Sequence, residues 1–307
     1  MCRPDVISKA KAPPALQKSS SSFMSVEGAF AQKPSLGFCA AYGAVIMAVL
    51  YAFEHSLLYF FDEHKDFHPI LQNATNRGIL ARHIGTDAFC CFVCATMGAA
   101  CFMTVCPELV HAATGKIKGY QAARGGYELR LFTYSPRAYH LALFFFWYQV
   151  KNTIDTILWN DGIVFVAHHA MTLTVAYGTL RHCVCQAYAP FFFGISEIST
   201  AVLCLLANFD DTHGVPGLAD AFPAGKVALG AAFAVAFIVC RVLLWSYCGY
   251  FFVNDAMLAL KHSSREAEKP WVKVFLGSFS GLSLLQVIWL GQIILVGKEE
   301  LYDKNFA

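Results

Sequence analysis

Two adjacent histidines, His168 and His169, stand inside the otherwise apolar run VFVAHHAMTLTVAY, Val164 to Tyr177. An imidazole can take or give a proton near neutrality and can accept an acyl group, so the pair suits general acid–base or nucleophilic work. Asp161 lies seven positions before His168 and Thr172 four after it. On one continuous helix these three share a stripe, while His169 is turned about 100° away. The two rings therefore cannot easily bind one metal ion, but one can face a cavity while the other reaches a neighbouring helix. Further on, Glu197, Thr200 and Cys204 form a second stripe that could face the first. A carboxylate beside an imidazole orients it. The catalytic candidates are thus His168, His169, Asp161 and Glu197. Thr172, Thr200, Asp155 and Arg241 are the candidates for holding substrate. Each has a plainer alternative: buried histidines and hydroxyls often tie helices together, Lys151 can pair with Asp155 one turn on, and Arg241 can be a cation tied to a carboxylate.

The elements that must position these groups are membrane helices. Apolar residues make up 57% of the chain and charged ones 14%, with a mean hydropathy of +0.48, which is more apolar surface than one soluble core uses. A spanning helix needs roughly 20 mostly apolar residues, and the stretches 36–53, 84–106, 139–159, 162–180, 184–208, 226–252 and 274–296 qualify. The expected fold is an all-α polytopic bundle of about seven transmembrane helices. Residues 1–34, with five basic residues and the run Ser19 to Ser22, read as a flexible tail, with an organelle transit peptide as the lesser reading. Residues 35–79 hold the first span and its loop, 80–297 the main membrane domain, and 298–307 a short C-terminal tail.

The near balance of 23 basic and 21 acidic residues, with no basic stretch interleaved with aromatics, excludes a nucleic-acid partner. Most of the 12 cysteines fall in apolar spans and read as free thiols. An N-terminus in the cytosol puts 15 Lys and Arg on the cytosolic side, against six opposite. That orientation leaves the sequon Asn73-Ala74-Thr75 in the lumen, open to glycosylation. A di-iron site is prompted by His64 and His68 with the pair, but the remaining histidines are scattered singly. A transporter would need polar groups through more spans than the three neighbouring ones that carry them.

The stretch WNDGIVFVAHHAMTLTVAYG, followed by GISEISTAVLCLLANF on the next span, resembles the TLC domain of ceramide synthases and their TLC domain-containing relatives. The resemblance covers about residues 80–297 and is most specific over 145–210. Glu197-Ile198-Ser199-Thr200 is similar to the Glu-x-Ser-Thr of the relatives rather than to ceramide synthases, which carry paired aspartates on this helix. The resemblance implies a role in lipid metabolism or membrane lipid homeostasis in the endoplasmic reticulum. For ceramide synthases it implies sphingolipid acyl transfer, an acyltransferase step in which the histidine pair and Asp161 pass an acyl group from acyl-CoA to a long-chain base. A non-enzymatic lipid-binding regulator is the alternative. The expected partners are membrane lipids, with acyl-CoA as candidate co-substrate and a homodimer left open; no metal or resident cofactor is expected. The family keeps the turn before the histidine helix on the cytosolic side, opposite to the charge count.

Overall fold

The structure, a computed structural model, describes residues 33–105, 119–210 and 212–306. The expected tail up to Gln32, with Cys106 and His111, lies outside the described residues. All regular structure among the described residues is helical. We number the main helices α1 (Leu36–Glu63), α2 (Ala74–Val105), α3 (Gly119–Phe132), α4 (Pro136–Leu158), α5 (Ile163–His182), α6 (Gln186–Ala207), α7 (Pro223–His262) and α8 (Lys269–Phe306). Seven follow the seven apolar stretches, and α3 is an additional short helix.

Six of these helices, all but α3 and α4, are long and apolar enough to cross a membrane, which makes the chain an integral multi-pass membrane protein. The exception among the seven is informative. Helix α4 carries Gln149, Lys151, Asn152 and Asp155, yet more than half of its 23 residues are buried. It is shielded from lipid by α1, α2, α5 and α6, so its polar groups find partners inside the bundle. The outer helices show the opposite pattern, with exposed Val, Leu and Phe along α1, α7 and α8. Lipid is as apolar as a core, so these residues gain nothing by turning inward.

Local sequence sets the helix ends. The Ser135 hydroxyl accepts from the Ala138 N–H at 3.4 Å and Pro136 opens α4, where its missing N–H costs nothing. At the other end Asn160 takes a left-handed conformation (φ 57°), and Gly162, at φ 110°, supplies a geometry that side chains resist. The tight return from α5 to α6 passes through left-handed Cys183 and Cys185. Gln186 pins it, its side chain accepting from the Ser135 N–H at 2.7 Å and donating to the Thr179 carbonyl at 3.3 Å. The largest core cluster draws on all eight helices, with Tyr139, Tyr148, Phe145 and Tyr188 almost fully covered.

Candidate functional site

Three helices depart from α geometry where the polar residues sit. Ala81–Ala88 in α2, Pro190–Ile195 in α6 and Ile238–Leu243 in α7 are wider π-type turns; in the second, the Ser196 N–H reaches the Phe191 carbonyl five residues back at 3.0 Å. A π turn adds one residue to a helix and re-aims the side chains around it, and it recurs at functional sites. Here the first holds Arg82, His83 and Asp87, the second runs directly into Ser196 and Glu197, and the third holds Arg241. Hydropathy cannot reveal these turns, because they alter phase and not composition.

Between α4, α5, α6, α7 and α8 lies a small cavity of about 60 Å³. Its wall is largely aromatic, with Phe192, Trp245, Phe252 and Phe279 among the lining residues. Along α7 it extends from Arg241 to Phe252, about 16 Å at the helical rise. Its polar residues gather towards one end: His168, Thr172, Glu197 and Arg241. At the other end lies Cys185, outside the spanning helices, where burial first and the Asp255 carboxylate second push the thiol well above its usual range.

The histidine pair divides as helical geometry demands. His168 lines the cavity, its ring edge-on to Trp289 at 5.5 Å, and its buried Nδ1 has no hydrogen-bond partner among the described residues. His169 faces α4, where its Nδ1 lies 2.8 Å from Oε1 of Gln149. The Thr172 hydroxyl hydrogen-bonds to the His169 carbonyl at 3.0 Å and lies 3.4 Å from the same Gln149 oxygen. Gln149 is therefore the partner of this helix that the sequence did not single out.

Glu197 is placed in the cavity wall but is not joined to a histidine. Its Oε1 accepts from Nη2 of Arg241 at 3.1 Å, and the same guanidinium donates to Thr200 Oγ1 at 2.7 Å and Ser199 Oγ at 3.1 Å. The plainer reading of Arg241, a cation tied to a carboxylate, is thus what the structure contains. Glu197 Oε2 also meets Cys91 Sγ at 3.4 Å. That thiol in turn meets the Tyr148 hydroxyl at 3.3 Å, to which Asn152 donates at 3.0 Å.

Asp161 lies elsewhere. The expected common stripe with His168 and Thr172 fails, because α5 begins only at Ile163, after the Gly162 break. The carboxylate instead pairs with Arg82, whose Nη1 donates to Oδ1 at 3.2 Å and whose Nη2 pairs with Oδ2. Arg82 is itself buried in α2, with Asp87 3.5 Å away. Asp155 belongs to a neighbouring cluster: Lys151 Nζ sits 2.6 Å from both Asp155 Oδ2 and Glu54 Oε2, and the latter accepts from Thr86 at 2.7 Å. The local Lys151–Asp155 pair expected from their spacing is present, with Glu54 of α1 as an unforeseen third member. Among the described residues, no group of three or more His, Cys, Asp or Glu side chains is placed to hold a metal ion.

Cys39, Cys90, Cys91, Cys94, Cys101, Cys183, Cys185, Cys204 and Cys240 carry free thiols. A further buried pair ties α3 to α7, Arg130 Nε and Nη2 donating to the two Asp255 oxygens at 2.6 and 2.8 Å. The sequence model of the TLC domain family matches residues 83–295, well over half of the chain and including every residue of the cavity wall. No curated protein and no solved structure matches it.

Proposed function

The chain belongs to the TLC domain family, and from that premise we propose that it draws the tail of a membrane lipid into the aromatic-walled cavity and works on the lipid's polar end with His168. The supporting observation is the cavity itself, aromatic along its length and polar at the end where His168 stands. In this reading the reaction is acyl transfer. The neutral His168 imidazole takes the proton from an attacking hydroxyl or amine as it adds to the carbonyl of an acyl thioester such as acyl-CoA. The imidazolium then returns that proton to the departing thiolate. His169, held by Gln149, fixes the rotation of α5 and is a positioning residue. Arg241 and Glu197 form a neutral polar floor against which a carbonyl can rest. Residence in the endoplasmic reticulum and a sphingolipid product are the expectations that accompany this reading.

A second reading, a lipid-binding regulator that turns nothing over, is favoured by one observation: among the described residues no carboxylate is hydrogen-bonded to His168. Glu197 is taken by Arg241 and Asp161 by Arg82, so the usual orienting partner of a catalytic histidine is missing.

Comparing lipid profiles of cells that accumulate equal amounts of wild type, His168→Ala and Glu197→Ala, together with turnover of acyl-CoA by purified protein, tests both. Acyl transfer predicts that one lipid class shifts with wild type alone and that purified protein makes that product, with His168→Ala lowering turnover at least a hundredfold. A profile shift without turnover supports the regulator. Identical profiles for all three proteins end the cavity reading.

A further inference from the structure

We infer that Gln286 on α8 is the head-group ligand of this cavity, and that together with His168 it takes an uncharged lipid carrying a hydroxyl beside an acyl carbonyl, such as a diacylglycerol. The inference rests on the cavity reading and adds a residue and a ligand class to it. Helix α8 lines the cavity with Phe275, Phe279 and Leu282, which recur at helical spacing on one stripe. Gln286 is the next position on that stripe, one turn beyond Leu282. Its side chain is 5% exposed, and neither its amide nitrogen nor its amide oxygen has a hydrogen-bond partner among the described residues.

The packing of α8 on α5 fixes where that amide lies. Gly178 sits under Phe275, Gly281 under Met171, and the Phe165 and Trp289 rings stack at 6.4 Å. This antiparallel register places Gln286 level with His168, whose buried Nδ1 also lacks a partner. Two packed helices therefore hold three polar atoms without partners among the described residues at one level, the His168 nitrogen in the cavity wall and the Gln286 amide one turn beyond Leu282, the last α8 residue of that wall. A buried amide left unpaired is costly, and native proteins seldom keep one without a use.

The same atoms define the ligand. A carboxamide donates and accepts at once, so it matches a group that also does both, and a hydroxyl next to a carbonyl is one. The charged side chains in the cavity wall are Glu197 and Arg241, and they neutralise each other. A phosphate head group would find no uncommitted cation there among the described residues and would bring a buried charge without a partner.

The test uses the full chain in phosphatidylcholine nanodiscs, with a diacylglycerol carrying a photoactivatable acyl chain as the probe. The expected result is labelling of α5 or α8 peptides in the wild type, competed by unlabelled diacylglycerol and not by phosphatidic acid. Gln286→Met and Gln286→Leu should cut labelling about tenfold and leave the unfolding temperature unchanged or raised, since they remove an unpaired amide. Undiminished labelling of both variants overturns the proposal, and so does equal competition by phosphatidic acid. If His168→Ala alone abolishes labelling, the cavity reading stands and the role of Gln286 falls. If no variant alters labelling, both fall.

Discussion

Glu197 and Arg241 show how closely matched the charges near the cavity are. Both side chains are buried, so removing one leaves the other uncompensated in a medium that cannot solvate it. Glu197→Gln is expected to lower stability by about 3–5 kcal/mol, and adding Arg241→Met should recover much of that loss. Thermal unfolding of the four proteins in detergent measures the coupling; a value near zero would mean that the pair is solvated. At this scale the sequence was legible wherever the decisive geometry lay within one helix. The 100° between His168 and His169 sends one ring to the cavity and the other to Gln149, and the four-residue spacing of Lys151 and Asp155 makes their pair. It was illegible wherever a partner comes from another helix. Gln149, Cys91, Glu54 and Gln286 owe their roles to the register between helices, which no spacing along the chain encodes.

Helix-scale expectations held for number and place, and the phase of the helices carries a feature, the π turn, that the sequence reading did not address. Each π turn inserts one residue, so a strict 3.6-residue projection misdirects side chains beyond it. Deleting Val239 should restore ordinary α spacing in α7, keeping the helix on either side in register while moving Arg241 within the turn. The expected outcome is a protein that accumulates but no longer alters the lipid profile; wild-type behaviour would show that the π turn has no role in aiming Arg241. The contact between α2 and α6 is stricter still. A Cβ on Gly98 would stand 2.5 Å from the Pro190 carbonyl oxygen and 2.6 Å from the Gly194 Cα. These are backbone atoms that cannot rotate aside, so Gly98→Ala should cost about 1–3 kcal/mol, read as a lower unfolding temperature. The break that separates Asp161 from α5 belongs here too, since a glycine in mid-sequence reads equally well as helix interior or helix start.

For the whole molecule, all seven apolar stretches became helices, but 139–159 became α4, which is not among the six long and apolar enough to span, because a helix enclosed by its neighbours need not be apolar. Orientation can be read at Asn73, which is exposed in the connection after α1 and accepts a hydrogen bond from the Thr75 N–H at 2.8 Å. With the N-terminus in the cytosol, Asn73 acquires a glycan. The gel shift on glycosidase treatment should then vanish in Thr75→Ala, which removes the sequon while keeping the Asn73 cap. No shift in the wild type would favour the opposite orientation. The cavity's wall has a last consequence for measurement. A ligand that reaches it from the bilayer arrives by diffusion in two dimensions, from a solvent that is itself lipid. Its occupancy therefore tracks its mole fraction in the bilayer and not its concentration in the surrounding water. Diluting a suspension of vesicles tenfold should leave the site as full as before, whereas diluting the ligand with other lipids should empty it.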